Sequence, residues 1–413
     1  MSPLAIVILI VLIDLLGFAL VMPLLGPFAK QYLFEGWQLG LLFAAFPICQ
    51  LIAGPILGRL SDRYGRRPLL VFSQAGTALS FLILGLSRNF RVMLLGRMLD
   101  GASGGNIVVA QAYVADVTPP EHRTRNMGLI GMAFGVGFVL GPLLGALLSD
   151  LPIAADWRLR LPFLVAAAFS TLAWIVVVWK LPESIPAGSA PRQAARVLSR
   201  RGIVDTIQLP GVAQLVAVAF LSVLAWATME GTFAVFLQDR MSWSPSAIGF
   251  AFAGSGLVSA LVQGGLIRPL VPRYGEIRLI LVGVILAGLG FVGVAAMSGA
   301  SAWPLIGAVV LFSVGSGLVS PSISGLLSRI TPMSEQGAVF GALTSTQTLA
   351  RIISYMTGNI LLARVSPSAP YWFGAAIYLV ALLAAARFAP VITAVLKRSQ
   401  EIPAAELAVG EGA

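Results

Sequence analysis

Long apolar stretches, separated by short polar segments, recur along the whole chain. A helix that crosses a bilayer needs roughly 20 apolar residues, and most of these stretches reach that length. The pattern therefore predicts twelve transmembrane helices. We place them near residues 4–29, 38–58, 68–86, 91–115, 126–148, 161–180, 211–236, 246–268, 278–298, 302–328, 337–362 and 370–390.

One long polar segment, rich in Pro, Ser and Arg, separates the sixth stretch from the seventh. It predicts a six-helix domain over residues 1–180, a linker over 181–208, a second six-helix domain over 209–396 and a tail over 397–413. A repeat supports this division, because the D-R-Y-G sequence at 62 returns as P-R-Y-G at 272, and the Thr-Pro pair at 118 returns at 331. Two parallel six-helix repeats are an architecture of secondary transporters.

Composition agrees with a membrane protein. Hydrophobic residues make up 58% of the chain and charged residues 11%, and the mean hydropathy is +0.91. This much apolar surface excludes a soluble globular or a disordered protein. A single Cys and a single His exclude an intrachain disulfide and a multi-histidine metal site. We therefore expect no metal, no cofactor and no enzymatic activity, and the chain carries no phosphate-binding G-x4-G-K-[ST] motif.

The net charge of +10 is explained by topology. Of the Lys and Arg residues in predicted loops, seventeen fall on the side that holds both termini and seven on the other side. Positive residues concentrate in cytoplasmic loops, so we expect both termini and the linker in the cytoplasm, and no nucleic-acid partner.

The loop after the second stretch concentrates charge in a tight turn. Topological charge alone is one interpretation. The other is a conformational latch, because glycines let helices approach closely and Asp62 can accept hydrogen bonds from Arg or from a helix N-terminus. The candidate latch residues in this loop are Gly58, Asp62, Arg63, Gly65, Arg66 and Arg67.

The G-x3-D-R-x-G-R-R pattern of this loop resembles a motif of the major facilitator superfamily. The resemblance implies that Asp62 meets the cytoplasmic end of helix 11 and that Arg66 bridges to Asp116. Pro272 replaces the Asp in the second-half copy, so we expect no equivalent latch there.

Five charged residues lie deep inside predicted spans, away from the span ends, where charge is costly and marks functional sites. They are Asp14, Arg97, Asp100, Glu230 and Arg351. One interpretation is structural pairing, of Arg97 with Asp100 three residues on and of Glu230 with Arg351. The other is a substrate cavity in which a carboxylate exchanges protons.

Two further resemblances favour the second interpretation. Arg97 with Gly101 resembles the superfamily's helix-4 motif, in which the Arg is implicated in proton coupling. The D-x2-G-x5-P spacing that starts at Asp14 is similar to helix 1 of the twelve-span drug–proton antiporters, including the tetracycline exporters.

The fifth stretch carries small residues at regular intervals, namely Gly128, Gly137, Gly141, Pro142 and Gly145. Close helix packing alone explains such a groove. The spacing also resembles the superfamily's antiporter motif, with Ala146 in place of a final Gly.

The sequence thus predicts an all-α integral membrane protein with the major facilitator fold. We expect a proton-coupled antiporter that exports a small amphipathic compound or drug, acting as a monomer in a bacterial inner membrane. Its expected partners are the small-molecule substrate, protons and the lipid bilayer. The alternatives are a proton-coupled importer of a polar metabolite and a non-transporting membrane sensor.

Overall fold

The computed structural model describes residues 2–104, 106–184, 209–297, 301–332 and 335–410. Over these residues the chain is helical, with no β-strand. Residues 185–208 of the predicted linker and 411–413 of the predicted tail lie outside the described residues.

Seven helices precede the linker. They are α1 (Pro3–Gln31), α2 (Gly36–Tyr64), α3 (Arg66–Leu86), α4 (Phe90–Ser103), α5 (Asn106–Val117), α6 (Pro120–Ser149) and α7 (Ala155–Lys180). The predicted fourth span, 91–115, corresponds to the two helices α4 and α5, and residue 105 between them lies outside the described residues.

Seven further helices follow. They are α8 (Val212–Met241), α9 (Pro245–Leu261), α10 (Ile267–Tyr274), α11 (Glu276–Ala295), α12 (Ala302–Ile330), α13 (Gln336–Arg364) and α14 (Ala369–Gly410). A π-helical turn, Val262–Leu266, joins α9 to α10, so the predicted eighth span is one continuous rod that contains this turn. The last helix extends far beyond the predicted end of its span at residue 390.

Ten helical stretches in the described part of the chain are long and apolar enough to cross a membrane. The other two predicted spans are α4 with α5, which is interrupted after Ser103, and α13, which carries Gln347, Arg351 and Asn359. Each of the twelve predicted spans thus corresponds to one helix or to one consecutive set of helices.

Contacts within the chain divide it into two compact units. The first contains α1–α7, residues Thr228–Leu257 of α8 and α9, and the stretch Arg351–Pro370 at the end of α13. In this unit α1 packs on α6 and α7, α3 packs on α4 and α7, and α2 packs on α4. A cluster of buried apolar side chains, including Ile10, Leu70 and Tyr113, joins these helices. The two six-helix domains expected from the sequence stay a prediction.

In the second unit α11 packs closely on α12. Glycines make this approach possible, because a Cβ added to Gly283 would lie 2.8 Å from the carbonyl oxygen of Gly315. The Phe291 ring fills the adjoining space against Phe312 and Tyr378, at centroid distances of 5.6 and 5.4 Å. Such small-residue contacts replace the hydrophobic effect as the packing force between membrane helices.

At the end of the first unit where α1 ends and α2 begins, helices from both halves of the sequence touch. A Cβ added to Gly26 would lie 2.8 Å from the Val235 side chain. A Cβ added to Gly40 would lie 2.9 Å from the carbonyl oxygen of Tyr355. Lys30 at the end of α1 forms an ion pair with Asp239 at the end of α8. We call the contact of Gly36 and Gly40 with α13 the α2–α13 seam.

Candidate functional site

The side chain of Arg66 is the centre of the loop between α2 and α3. It is 6% exposed, and its Nη2 lies 2.6 Å from Oδ1 of Asp62. Its Nε donates to Oδ2 of Asp116 at 3.2 Å, and its Nη1 donates to the hydroxyl of Ser61 at 2.5 Å. The structure thus joins α2, α3 and α5 through one guanidinium, which includes the Arg66–Asp116 pairing that the family resemblance implied.

Glu183 completes this loop, although the sequence did not single it out as a member. The backbone N–H groups of Arg66 and Arg67 donate to the two oxygens of its carboxylate, at 2.8 and 3.1 Å. A carboxylate at a helix N-terminus accepts hydrogen bonds from the free N–H groups and interacts favourably with the positive end of the helix dipole. Gly65 turns the chain into α3 with a φ of 101°, and any side chain there would collide with this carboxylate.

The other candidate loop residues have different surroundings. Arg67 donates through Nη2 to the carbonyl oxygen of Val178 at 2.7 Å, which ties α3 to α7. Arg63 is exposed and lies over the ring of Tyr64 at 5.4 Å. Gly58 leaves ordinary room, since an added Cβ would lie 4.0 Å from Val108. The meeting of Asp62 with helix 11 stays a prediction.

The corresponding loop of the second unit has the same turn with its charges exchanged. Gly275 has a φ of 74°, and the next residue, Glu276, accepts a hydrogen bond from Nη1 of Arg329 at 2.7 Å. These two residues are at the repeat positions of Arg66 and Asp116. Pro272 thus removes the Asp, but the neighbouring ion pair remains.

Arg97 is enclosed completely in the first unit, at 0% exposure. Its Nη1 donates to Oδ2 of Asp100 at 3.1 Å and its Nε donates to the carbonyl oxygen of Leu42 at 3.1 Å. The guanidinium carbon lies 5.0 Å from the centre of the Phe46 ring. The remaining Nη2 has no hydrogen-bond partner among the described residues, so Arg97 keeps one donor after pairing with Asp100.

A second buried charge pair lies between α8 and α13. Glu230 is 7% exposed, and its Oε2 accepts a hydrogen bond from the Tyr355 hydroxyl at 2.5 Å. Nη1 of Arg351 lies 3.5 Å from the same oxygen. Arg97 also acts electrostatically on Glu230. The structure therefore brings four of the five predicted in-span charges into one region.

Asp14, the fifth charge, is held by a different residue. Nε2 of Gln74 on α3 donates to its Oδ2 at 2.7 Å, and the Gln74 side chain is fully buried. Asp14 itself is partly exposed. Its Oδ1 oxygen is itself buried, and the hydrogen bond from Gln74 holds the carboxylate in place between α1 and α3.

The small residues of α6 lie against the turns of α1 that carry Asp14. A Cβ added to Gly137 would lie 2.8 Å from Cβ of Leu15, and a Cβ added to Gly141 would lie 2.7 Å from Cβ of Ala19. Gly145 lies over the next turn of α1, where an added Cβ would be 3.1 Å from the carbonyl oxygen of Leu20.

Two other residues of this motif are placed differently. Gly128 has no described neighbour within 4 Å of an added Cβ. The carbonyl oxygen of Pro142 faces Gly249 on α9 instead, at 2.9 Å from an added Cβ.

Comparison with known proteins identifies the family. The Major Facilitator Superfamily matches residues 7–355 and, in a second match, residues 215–411. The chain belongs to the major facilitator superfamily. This confirms the resemblance drawn from the motifs and the predicted fold class. Because members of this superfamily are transporters, this major facilitator is an integral membrane transporter and not an enzyme.

Its relatives include proteins of drug resistance. This major facilitator is 32% identical over 388 residues to the class C tetracycline resistance protein of Escherichia coli, covering 91% of this chain and 94% of that relative. It is 30% identical over 383 residues to the class D tetracycline resistance protein of Salmonella ordonez, with the same two coverages. The crystal structure of the human organic anion transporter MFSD10 matches with a TM-score of 0.68 and 26% identity, covering 92% of this chain and 98% of that one.

Sequence reasoning missed two residues that hold the carboxylates of this major facilitator. Tyr355 lies one helical turn after Arg351, so the spacing of four places both on one face of α13 and could have pointed to it. Gln74 is an amide inside an apolar span, which is a costly position in a membrane. No sequence signal indicated the contact of Glu183 with the α2–α3 loop, because its partner N–H groups are distant in sequence.

Proposed function

We propose that this transporter is a proton-coupled antiporter that exports a small amphipathic compound by alternating access. The observation that carries the proposal is the setting of Asp14, which is hydrogen-bonded to Gln74 and lies on the turns of α1 that support Gly137 and Gly141 of the antiporter-like motif. The two bacterial relatives are tetracycline resistance proteins, which supports export of a drug-like substrate.

In this mechanism one carboxylate alternates between proton and substrate. When the cavity is open to the outside, Asp14 takes up a proton, with Glu230 and Asp100 as the alternatives. Neutralising the carboxylate weakens substrate binding and promotes the return to the inward-open state. Substrate binding from the cytoplasm then favours release of the proton, because the coupling between two ligands is reciprocal.

The remaining candidate residues have supporting roles. The Arg97 charge sets the electrostatic environment of the carboxylates around it. Asp62, Arg66 and Asp116 bias the equilibrium between the two states through the contacts of the α2–α3 loop. We place both termini in the cytoplasm of a bacterial cell, on the distribution of Lys and Arg among the loops.

Replacing Asp14 by Asn tests the proposal. Asn keeps the size of the side chain and can still bond to Gln74, but it cannot exchange a proton. We expect Asp14→Asn to lose efflux driven by a proton gradient, measured with a fluorescent tetracycline-like drug in proteoliposomes. Asp150→Asn is the matched control, because Asp150 is exposed on the turn after α6, and its efflux should equal that of the wild type.

Two results would overturn this assignment. Gradient-driven efflux that persists in Asp14→Asn removes Asp14 from the coupling, and the same substitution at Glu230 and Asp100 then decides between the alternatives. Uptake of a polar metabolite down the proton gradient, without drug efflux, establishes the importer instead.

Transport of an organic anion is the second candidate function. The buried Nη2 of Arg97 has no hydrogen-bond partner among the described residues, and it would suit an acidic group of a substrate. The structurally similar human protein MFSD10 is an organic anion transporter, which points the same way. A ligand that binds the native state raises its apparent stability, so thermal stabilisation of the purified protein by anionic but not by cationic compounds would favour this candidate.

A further inference from the structure

Tyr355 lies where a buried charge meets a tight helix contact. Its hydroxyl holds the Glu230 carboxylate, and its own backbone forms part of the α2–α13 seam. We propose that Tyr355 is a positioning residue that couples protonation of Glu230 to closure of this seam. The inference rests on the proposed proton-coupled function and adds to it a residue and a route of transmission.

The charged surroundings of Glu230 come from two helices. From α13, Tyr355 donates a hydrogen bond and Arg351 supplies a positive charge 3.5 Å away. From α4, the buried Arg97 adds a second positive charge at longer range. The Arg351 side chain is 32% exposed, so it is less enclosed than Glu230.

The packing on the other side of Tyr355 leaves no free space. An added Cβ on Gly40 would lie 2.9 Å from the carbonyl oxygen of Tyr355 and 3.2 Å from Cα of Met356. One turn earlier in α2, a Cβ on Gly36 would lie 2.7 Å from the carbonyl oxygen of Asn359. Backbone therefore packs on backbone along the α2–α13 seam.

The ring of Tyr355 closes the remaining sides. It lies tilted against the Phe43 ring of α2 at 5.4 Å between ring centres, and a Cβ on Gly231 of α8 would lie 2.9 Å from its Cδ1 atom. Tyr355 cannot shift without moving α2 or α8. Any change in the position of its hydroxyl is therefore transmitted to the seam.

The direction of the coupling follows from the cost of burying charge. Closing the seam encloses Glu230, and a neutral carboxylic acid loses far less hydration free energy than a carboxylate on leaving water. A nearby Arg offsets this cost only in part when the pair is buried. A proton on Glu230 therefore favours the closed seam, which the predicted topology places at the outer face. This is the sense that proton-driven return to the inward-open state requires.

The Tyr355 hydroxyl makes this effect specific. While the hydroxyl donates to Glu230, the carboxylate is held against α13. The protonation of Glu230 therefore depends on whether the seam is closed. Without the hydroxyl, the carboxylate can turn toward Arg351 and water, and its protonation no longer depends on whether the seam is closed. The phenyl ring alone would still fill the space between α2 and α8.

The test measures the seam directly. Nitroxide labels on Trp37→Cys and Val365→Cys report the distance between α2 and α13 by pulsed electron paramagnetic resonance. Both positions are exposed, and they lie on opposite sides of the seam at the end where α2 begins and α13 ends. Cys49→Ser removes the single native thiol. In the wild type we expect the closed distance to gain population at acidic pH relative to alkaline pH, in liposomes with neither substrate nor gradient.

Two variants and one control then decide the proposal. Glu230→Gln should give the closed distance at both pH values. Tyr355→Phe should fold normally and retain both distances but lose more than half of the pH-dependent change. Tyr32→Phe is the control, because its hydroxyl also donates to a carboxylate, that of Asp156 at 3.2 Å, and it should keep the wild-type response.

An unchanged pH response in Tyr355→Phe overturns the positioning role, and an unchanged response in Glu230→Gln overturns the role of Glu230. Since the measurement uses no substrate, its outcome is distinguishable from failure of the antiport proposal, which would appear only in the efflux assay.

Discussion

At the scale of single residues, Arg66 differs from its neighbours in the number of groups that depend on it. Its guanidinium forms ion pairs with Asp62 and Asp116 and a hydrogen bond to Ser61. Arg59 and Arg63, which are close by in the sequence, are exposed. Removing a buried cation that pairs with two carboxylates costs about 3–5 kcal/mol.

We therefore expect Arg66→Ala to lower the unfolding free energy by about that amount. Arg63→Ala should change it by no more than about 0.5 kcal/mol, as an exposed substitution does. Chemical denaturation of the two purified variants in detergent measures both values. Equal stabilities would contradict the structural importance of the buried guanidinium.

The pairing of residues was only partly predictable from the sequence. Arg97 and Asp100 are three residues apart on one helix, so their pairing follows from helix geometry alone. The contact of Glu230 with Arg351 joins two helices and was one of two open interpretations. The hydroxyl of Tyr355 and the amide of Gln74 were missed, because contacts between helices depend on how each helix is rotated, and apolar periodicity is weak in a helix surrounded by lipid and protein.

At the scale of helices, the small residues of α6 have unequal roles. A Cβ added to Gly141 would lie 2.7 Å from Cβ of Ala19 on α1. A Cβ added to Gly128 would have no neighbour within 4 Å among the described residues. The two positions share one helix and one residue type, so they form a matched pair for substitution.

Gly141→Ala should separate α6 from α1 and displace Asp14, lowering both the melting temperature and gradient-driven efflux. Gly128→Ala should leave efflux unchanged and not lower the melting temperature, because alanine favours a helix where space allows. A thermal melt and a proteoliposome assay on both variants check this expectation. Equal loss in both would show that the contact with α1 is not what matters.

The positions of helices were predicted well, and their interruptions were not. Each of the twelve predicted spans coincides with one helix or one consecutive set of helices, and ten helical stretches of the described residues are long and apolar enough to cross a membrane. This part was predictable because a span must be long and apolar whatever its neighbours are. The ending of α4 at Ser103 and the π-helical turn at Val262–Leu266 depend on local hydrogen bonding, which hydropathy does not record. The exchanged ion pair of Glu276 and Arg329 was likewise hidden, because each residue alone resembles an ordinary loop charge.

At the scale of the whole molecule, the ion pair of Lys30 and Asp239 joins helices from the two halves of the sequence. Both side chains are about two-fifths exposed, at 43% and 40%, so the pair is worth no more than about 1 kcal/mol. A conformational equilibrium is sensitive to that amount, because about 1 kcal/mol changes a two-state ratio roughly fivefold.

Reversing one charge should therefore shift the closed state. We expect Lys30→Glu to reduce the ratio of closed to open molecules by about fivefold, measured with the same pair of spin labels on α2 and α13. The double variant Lys30→Asp with Asp239→Lys restores opposite charges and should recover the wild-type population. A double variant that behaves like Lys30→Glu would contradict a direct interaction.

The cap that Glu183 places on α3 has a consequence for biosynthesis. The capping carboxylate is 117 residues after the N–H group that it receives from Arg66, so the ribosome has released α3 into the membrane long before the cap exists. The first turn of α3 must wait, with free N–H groups, until α7 has been translated and inserted. The nascent chain therefore completes the α2–α3 loop only when its first seven helices are present, which gives the assembly of this unit a defined final step.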